Sequence, residues 1–380
     1  MADYSQNRFV ATHAAAAISS VAIGTAFSYP IDTTKVIVQI GSTPRRGLSS
    51  WQALHRAVSL SEISGLYSGC GWAIPGRLLS LGARFGIFEI VTAFYNDGLD
   101  DNYITTGEAM TAGMVSGAVE SIISSPFELI KLRQQVSAAC QKSSPSSMAE
   151  NRVTPMVINK LLRGYSPDMN ALNYSVGLLS NLPTKSSNLL GALQNYPWMM
   201  TGSGSPPSVV HVRMPGDIIS LEGWSAMWRG FRSGIVRDTI FGGVFFGCWQ
   251  FLYQAMLDWK AIGMDPVPSR NKDVEPLSPL SISVAAGFSG SVAAAASHWA
   301  DTSKCRAMCA VLPKFMVTER SMMRWKIPGS RFEKFLGIHP QDRKVLSYGR
   351  SLRVASCGIA SFSIVGTYYL FLRCLSPTTG

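Results

Sequence analysis

Charged residues are scarce in this chain of 380 amino acids: Asp, Glu, Lys and Arg make up 15% of it, whereas 47% of the residues are hydrophobic. There is no CxxC pair among the seven cysteines, and the five histidines are not spaced as zinc ligands. An odd number of scattered cysteines argues against a disulfide framework and indicates a reducing or redox-neutral setting. The scarcity of charge favours a membrane protein over a soluble one.

Motifs of the common enzyme classes are also missing. The sequence has no phosphate-binding P-loop, no catalytic-triad motif, no zinc motif and no dinucleotide fingerprint. No EF-hand loop precedes the first apolar stretch, which argues against calcium regulation. We therefore predict that the protein is not an enzyme and uses neither a cofactor nor a metal.

Acidic residues are outnumbered by basic ones: 34 Lys and Arg against 23 Asp and Glu give a formal charge of +11. A nucleic-acid-binding protein would gather its basic residues into a patch or stripe. Here they are scattered between apolar segments, so we expect anionic lipid or anionic solutes as partners and no nucleic acid. The mean hydropathy is positive, at +0.15, which again favours the membrane.

One short phrase occurs three times in the sequence. It reads PIDTTK from Pro30, PFELIK from Pro126 and, in damaged form, WADTSK from Trp299. Each copy places an acid and a base three residues apart; the pairs are Asp32 and Lys35, Glu128 and Lys131, and Asp301 and Lys304. Charges are costly in lipid, so we expect these side chains to face an interior and to pair with one another. A threefold repeat predicts a pseudosymmetric bundle.

The apolar stretches are long enough to cross a bilayer. Three of them end in the repeated phrase (about 8–39, 108–135 and 280–308), and a second stretch follows each of these (70–95, 231–256 and 350–372). We predict an all-α membrane protein with six transmembrane helices in three pairs, organised as repeats 8–98, 103–260 and 278–375. The second repeat carries an insertion at about 140–215, rich in Ser, Asn, Pro and Gly, which we expect to be flexible.

The repeated phrase and the residues that follow it resemble the mitochondrial carrier family. That family's motif is Pro-x-[Asp/Glu]-x-x-[Lys/Arg] with Gln nine positions after the Pro, then [Asp/Glu]-Gly-x4-aromatic-[Lys/Arg]-Gly. The second repeat matches throughout, with Gln135, Glu222-Gly223 and Trp228-Arg229-Gly230. The third repeat replaces the proline with Trp299 and the glutamine with Met308. The resemblance implies the mitochondrial carrier fold.

The resemblance also implies a ring of ion pairs on the matrix side of the bundle. It pairs Asp32 with Lys131, Glu128 with Lys304, and Asp301 with Lys35, and it makes Gln39 and Gln135 braces for two of these pairs. We call these six acids and bases the acid–base ring. Pro30 and Pro126 would kink their helices. At Trp299, either the helix is straighter and the ring asymmetric, or small neighbouring residues permit the bend.

The family has a cytosolic gate with the motif [Phe/Tyr]-[Asp/Glu]-x-x-[Lys/Arg] on the second helix of each repeat (the even helices, at 70–95, 231–256 and 350–372 here). This sequence matches that motif only in part. Glu89 is followed by Thr92, Gln250 by Tyr253, and only the third copy keeps a base, Arg373. The family's pairing order leaves one polar contact, Gln250 with Arg373, and no ion pair. The resting state is therefore expected to be open to the cytosol.

Substrate contacts in this family lie on the even helices. Counting from the glycine that opens each even helix, the resemblance places them at Gly76-Arg77, Arg237-Asp238 and Ser356-Cys357, with Ser80 and Arg84 on the same face as Arg77. An Arg–acid pair in the middle repeat is similar to carriers of amino acids, because a zwitterion offers a carboxylate to guanidinium and an ammonium to carboxylate.

Other interpretations of these charges remain open. Arg77 and Arg84 could snorkel to lipid headgroups or balance Glu89. Asp238 could form only a structural salt bridge with Arg237. Arg350 and Arg353 either reach the vestibule or lie at the membrane surface.

The resemblance implies a secondary transporter that moves a small charged metabolite across the mitochondrial inner membrane by alternating access. The Arg–acid pair favours an amino acid or an amino-acid-like cofactor. The alternatives are a carboxylate or other anion, or a membrane scaffold that does not transport; a peroxisomal or plastid membrane is the alternative location. The N-terminus lacks a presequence pattern, so we expect an internal targeting signal. We expect a monomer in contact with lipid, including cardiolipin.

Overall fold

The computed structural model describes residues 2–42, 49, 51–52, 54–55, 64–96, 104–141, 209, 212–262, 277–314, 317, 329–338 and 340–375. Within these residues every regular element is helical. The helices are α1 (Ala2–Gly41), α2 (Cys70–Asn96), α3 (Thr106–Gln141), α4 (Pro215–Glu222), α5 (Phe231–Ile262), α6 (Pro279–Ala296), α7 (His298–Cys309), α8 (Arg331–Leu336) and α9 (Arg350–Leu375), with two 3-10 helices at Trp224–Trp228 and Pro340–Ser347. This architecture confirms the predicted all-α fold class.

The long helices form a closed ring. Helix α1 packs against α2, α2 against α3, α3 against α5, α5 against α6, α6 against α9, and α9 returns to α1. Within the described residues, five segments are long and apolar enough to cross a membrane: Val10–Gly41, Ser64–Tyr95, Trp224–Ile262, Pro279–Ala296 and Arg343–Cys374. Helix α3, the remaining long member of the ring, falls short of that apolarity because its centre is rich in Ser and Gly and contains Glu120.

The ring is apolar outside and polar inside. Large hydrophobic side chains on the long helices point outward, among them Phe27 (67% exposed), Phe94 (78% exposed) and Phe251 (61% exposed). Charged side chains of the acid–base ring, such as Asp301 (3% exposed) and Lys304 (1% exposed), are buried. This is the reverse of a water-soluble protein and is the arrangement that lipid requires.

The threefold repeat is visible in the backbone at the start of each even helix. Gly69, Gly230 and Gly349 precede α2, α5 and α9, and their φ angles are +84°, +76° and +81°. A side chain is strained in this left-handed region, so glycine is the residue that permits the turn. The same glycine at three equivalent positions lets each 3-10 turn or loop reverse into a membrane helix.

Close helix contacts occur where small residues face each other. A Cβ atom on Gly113 or Gly117 of α3 would collide with the backbone carbonyl of Gly242 or Asp238 on α5. A Cβ on Gly290 of α6 would collide with the Ser361 side chain of α9. Small residues thus let these helix axes approach closely in lipid.

The third repeat differs from the first two at the kink position. Pro30 and Pro126 lie inside the uninterrupted helices α1 and α3. The equivalent rod of the third repeat is interrupted at Ser297 (φ −95°, ψ 7°), which separates α6 from α7 two residues before Trp299. The helix of the third repeat is therefore interrupted at a small residue two positions before Trp299, whereas the helices that contain Pro30 and Pro126 continue.

Most of the insertion expected to be flexible, residues 142–208 and 210–211, lies outside the described part of the chain. Its end does not fit that expectation. Val209 and Val212 are 1% and 3% exposed and pack in a hydrophobic cluster with Leu129 and Val311. Apolar side chains near Ile218 thus anchor this end of the insertion beneath the bundle, and helix α4 begins at once at Pro215.

Candidate functional site

The ring of helices encloses a cavity of about 240 Å³. All eight predicted substrate contacts line it: Gly76, Arg77, Ser80, Arg84, Arg237, Asp238, Ser356 and Cys357. Seven cations and five carboxylates share this lining: Lys35, Arg77, Arg84, Lys131, Arg237, Lys304 and Arg353, with Asp32, Glu120, Glu128, Asp238 and Asp301. The cavity is therefore polar, and its formal charge is positive.

The acid–base ring closes one end of this cavity. Lys131 of α3 is ion-paired with Asp32 of α1. Lys304 of α7 lies 2.7 Å from Glu128 of α3. The third pair completes the circle: Nζ of Lys35 on α1 lies 3.4 Å from Asp301 on α7. All three inter-repeat pairs that the resemblance implies are thus formed, and they join each repeat to the next.

The two glutamines behave differently from each other. Nε2 of Gln39 donates to the Asp301 carboxylate and to the Thr302 hydroxyl, at 3.1 Å each, so it braces the Lys35–Asp301 pair. Nε2 of Gln135 donates to the Thr33 hydroxyl at 2.9 Å rather than to a carboxylate. Gln135 is therefore beside the ring without bracing an ion pair, because the neighbouring threonine takes its amide proton.

Arg237 reaches into the acid–base ring. Its guanidinium lies 2.7 and 3.0 Å from the two Glu128 oxygens and 3.3 Å from Asp301. The same group contacts both oxygens of Asp238, at 2.7 and 3.0 Å. Asp238 also lies 4.0 Å from Lys304. The two predicted substrate contacts are therefore paired with each other in this conformation and link the cavity to the ring.

Arg353 contacts the acid–base ring, although the repeated motif does not include it. It is 4% exposed and lies 3.1 Å from Asp301. Its other contacts are with the residue at the helix interruption: it donates to the Ser297 carbonyl at 3.1 Å and to the Ser297 hydroxyl at 2.7 Å. Of the two sequence-based alternatives for Arg353, the vestibule position is the observed one. No repeated motif marks this position, so only the packed structure reveals its contacts.

Arg84 is balanced by a residue that sequence analysis missed. Its guanidinium is ion-paired with Glu120 of α3, and it also stacks 4.7 Å from the centre of the Phe241 ring. The alternative in which Glu89 balances Arg84 is wrong, because Arg84 is paired with Glu120 and Glu89 is exposed. The sequence signal was available: Glu120 is a lone carboxylate within an apolar stretch, two helical turns before Glu128.

Arg77 differs from the other cations of the cavity in its contacts. Its guanidinium donates to the Ser28 hydroxyl at 3.3 Å. Among the residues that the structure describes it forms no ion pair, unlike the six other cations of the lining. An arginine in this position can accept a carboxylate from a solute without first breaking a salt bridge.

Among the described residues, the opposite end of the cavity has no equivalent ring. Gln250 does not contact Arg373: its Nε2 donates to the Ile104 carbonyl at 3.0 Å, and Arg373 is exposed without an ion pair to any described residue. Thr92 donates to carbonyls of its own helix, Phe88 at 2.9 Å and Glu89 at 3.0 Å. The expected Gln250–Arg373 contact is therefore absent, because nothing of opposite charge draws these helix ends together.

A second buried charge cluster lies beyond the acid–base ring. Arg133 is fully buried and ion-paired with Glu222, and its guanidinium also donates to the Met308 carbonyl at 3.3 Å. Arg229 shares the Glu222 carboxylate and donates to the Leu312 carbonyl at 3.3 Å. These bonds tie the second repeat to the C-terminal end of α7.

Comparison with known proteins gives one family. A family model described as "Mitochondrial carrier protein" matches residues 6–99 and 103–169, and these ranges end before the third repeat. The dicarboxylate carrier UCP2 of Danio rerio is 24% identical over 292 residues, which covers 66% of this chain and 92% of that protein.

Two plant proteins are also similar. The mitochondrial arginine transporter BAC1 of Arabidopsis thaliana is 30% identical over 124 residues, 32% of this chain and 39% of that protein. A probable chloroplastic S-adenosylmethionine carrier of the same plant is 24% identical over 251 residues, 58% of this chain and 67% of that protein. The names of these relatives cover different solutes and two organelles.

Proposed function

Because the chain belongs to the mitochondrial carrier family, we propose that it is a secondary transporter that moves a small carboxylate-bearing metabolite across the mitochondrial inner membrane by alternating access. The observation that carries this proposal is the closed acid–base ring at one end of a polar cavity whose other end has no such ring. A cavity closed at one end only is what alternating access requires of each of its states.

The direction of opening follows from the ion pairs. In this family the ring that contains Asp32, Glu128 and Asp301 faces the matrix. We propose that the resting protein is closed toward the matrix and open toward the cytosol. Transport then requires the ring to break, and breaking one side of a buried pair is costly unless the solute offsets that cost.

Arg77 supports a carboxylate as the common chemical feature of the solute. It lines the cavity without an ion pair to a described residue, and it can form the bidentate contact that guanidinium makes with carboxylate. The solutes named for the relatives, a dicarboxylate, arginine and S-adenosylmethionine, all carry a carboxylate. An amino acid or a related cofactor would also use Asp238 for its amino group, in exchange for the contact that Asp238 makes with Arg237.

Uptake by purified protein in liposomes tests the proposal. The solutes are L-malate, L-arginine and agmatine, which is arginine without its carboxylate. We expect uptake of at least one of the two carboxylate-bearing solutes and none of agmatine. Arg77→Gln should abolish this uptake while the protein still folds, and Arg350→Gln, an exposed arginine outside the cavity, serves as the matched control.

Two outcomes would contradict the proposal. Uptake of agmatine as fast as that of arginine would remove the role of the carboxylate. If no solute enters and Arg77→Gln changes nothing, the protein is a membrane scaffold, an alternative that the missing contact between Gln250 and Arg373 favours.

The location is also part of the proposal. A fluorescent fusion of the full chain should co-purify with mitochondrial inner membrane, whereas enrichment in plastid or peroxisomal membrane would contradict it. A monomer with bound cardiolipin is our expectation for the purified protein, and native mass spectrometry measures both.

A further inference from the structure

Three serines occupy equivalent positions in the three repeats. Ser28, Ser124 and Ser297 each lie two residues before the kink position of their repeat, which is Pro30, Pro126 or Trp299. Each of the three is at most 3% exposed. Although their positions are equivalent, the three hydroxyl groups do not make the same contacts.

Two of these serines share one bonding pattern. Ser28 donates to the carbonyl of Gly24, at 2.9 Å, and accepts from the guanidinium of Arg77. Ser297 donates to the carbonyl of Ala293, at 2.8 Å, and accepts from the guanidinium of Arg353. In both repeats the hydroxyl oxygen therefore receives a hydrogen bond from an arginine of an even helix.

Ser124 departs from this pattern. Its hydroxyl is buried, lines the cavity and has no hydrogen-bond partner among the residues that the structure describes. A buried hydroxyl without a partner is uncommon in folded proteins and costs stability. In a cavity that binds a solute, the missing partner can be supplied by the solute.

Helix α5 has no arginine at the position equivalent to Arg77. Arg77, which satisfies Ser28, is eight residues after Gly69, and the residue eight after Gly230 is Asp238. A carboxylate is an acceptor only and cannot replace a guanidinium as a donor. The second repeat thus has a carboxylate where the first repeat has a cation.

The other neighbours of Ser124 on its helix are acceptors as well. Glu120 and Glu128 lie four residues before and after it, on the same face of α3, and all three line the cavity. Their charges are balanced by Arg84, and by Arg237 and Lys304, respectively. Ser124 bonds to neither of these carboxylates, so among the described residues its hydroxyl oxygen has no donor and its O–H has no acceptor.

We propose that Ser124 is a substrate-binding residue whose hydroxyl accepts a hydrogen bond from an ammonium or guanidinium group of the solute. This inference rests on the proposed transport function and narrows it. Such a group carries N–H donors and no acceptor, which complements both Ser124 and Asp238. With Arg77 holding the carboxylate, the solute is an amino acid or a relative that carries both charges.

The cationic group of the solute would replace Arg237 as a partner of Asp238. Arg237 contacts Asp238 and also two carboxylates of the acid–base ring, Glu128 and Asp301. An arriving ammonium group exchanges one N–H donor for another at Asp238. Binding at Ser124 is therefore coupled to the release of a contact that keeps the ring closed.

Uptake kinetics in liposomes test the role of Ser124. In Ser124→Ala we expect the KM for L-arginine to rise by roughly 10- to 100-fold, the usual effect of losing one hydrogen bond to a charged group. The KM for L-malate, which has no N–H donor of this kind, should not change. Thermal stability without solute should not fall, because the removed hydroxyl has no partner.

Ser116→Ala is the matched control on the same helix. Ser116 is fully buried, donates to the Gly113 carbonyl at 2.9 Å and lies outside the cavity lining. It should leave both KM values as in the wild type. This control separates a contact with the solute from a general effect of serine loss on α3.

Each outcome decides a different point. An unchanged arginine KM in Ser124→Ala overturns the inference and leaves the transport function intact, with water as the partner of the hydroxyl. Wild-type uptake of malate without arginine also overturns it, because the solute then carries no cationic group. If the wild type takes up neither solute, the proposed transport function itself fails.

Discussion

Arg353 donates to both oxygen atoms of Ser297, at 3.1 Å to the carbonyl and 2.7 Å to the hydroxyl, and so holds the interruption between α6 and α7 from the facing helix α9. Ser297 also donates to the carbonyl of Ala293, a side-chain bond that bends helices. The third repeat has lost the proline of the other two. Three hydrogen bonds at Ser297 accompany the interruption of the helix there.

Loss of Arg353 is therefore expected to disturb the bend and the ring together. Arg353→Leu removes the contacts with Ser297 and leaves Asp301 with Lys35 and Arg237. We expect uptake to fall at least tenfold. Trp299→Pro in the same chain should restore part of it, because proline produces the kink by itself.

The double variant is the informative measurement in this series. Liposome uptake of Arg353→Leu alone and with Trp299→Pro distinguishes bending from charge. Wild-type uptake by Arg353→Leu would show that the contacts with Ser297 carry no function. A loss that Trp299→Pro does not relieve would assign Arg353 to charge balance at Asp301 only.

The pair between Asp32 and Lys131 should behave as a coupled unit. Removing one partner leaves a buried charge, at a cost of about 3–5 kcal/mol when the remaining partner cannot compensate. Asp32 keeps a contact with Lys35 at 2.9 Å, so we expect less than this for Lys131→Gln. Thermal unfolding of Asp32→Asn, Lys131→Gln and the double variant measures the coupling, which should be about 0.5–3 kcal/mol. Additive effects would mean that the two residues do not interact.

Arg237 should not tolerate lysine. Its guanidinium contacts both oxygens of Glu128 and both oxygens of Asp238, a geometry that an ammonium group cannot reproduce. Arg237→Lys is expected to weaken the closed ring and to expose cavity residues to thiol reagents from the matrix side. Labelling of the cavity cysteine Cys357 reports this change. Wild-type labelling in Arg237→Lys would contradict a role for Arg237 in closing the ring.

A single added charge should strengthen the opposite end of the bundle. Gln250→Glu creates a carboxylate that can pair with Arg373, as the family motif has it. We expect the balance to move toward the matrix-open state, with slower labelling of Cys357 from the cytosolic side. Gln250→Leu is the control, since it loses the bond to Ile104 without adding charge, and Gln254 keeps a bond to the same carbonyl at 3.1 Å. Equal labelling in the two variants would contradict the effect of the new charge.

The acid–base ring could be predicted from the sequence because its motif occurs three times. Repetition identified the acids and bases, among them Asp32, Glu128 and Asp301, and the resemblance to the carrier family implied the order in which they pair. The opening glycines of the even helices are fixed in the same way.

Residues that occur once were harder to place. Glu120 and Arg353 belong to no repeated motif, and their partners, Arg84 and Ser297, are 36 and 56 residues away in the chain. Such contacts depend on which helix faces meet, and α-helical periodicity does not determine the facing partner. Ser124 was missed for a further reason: a serine in a membrane helix usually satisfies itself on its own backbone.

Accessibility of Cys357 from the two sides of the membrane tests the central claim most directly. This native cysteine lines the cavity beyond the acid–base ring. In oriented liposomes without solute, a membrane-impermeant thiol reagent should label it from the cytosolic side and not from the matrix side. Equal labelling from both sides, or labelling from the matrix side alone, would contradict a cavity closed by the pairs of Asp32, Glu128 and Asp301.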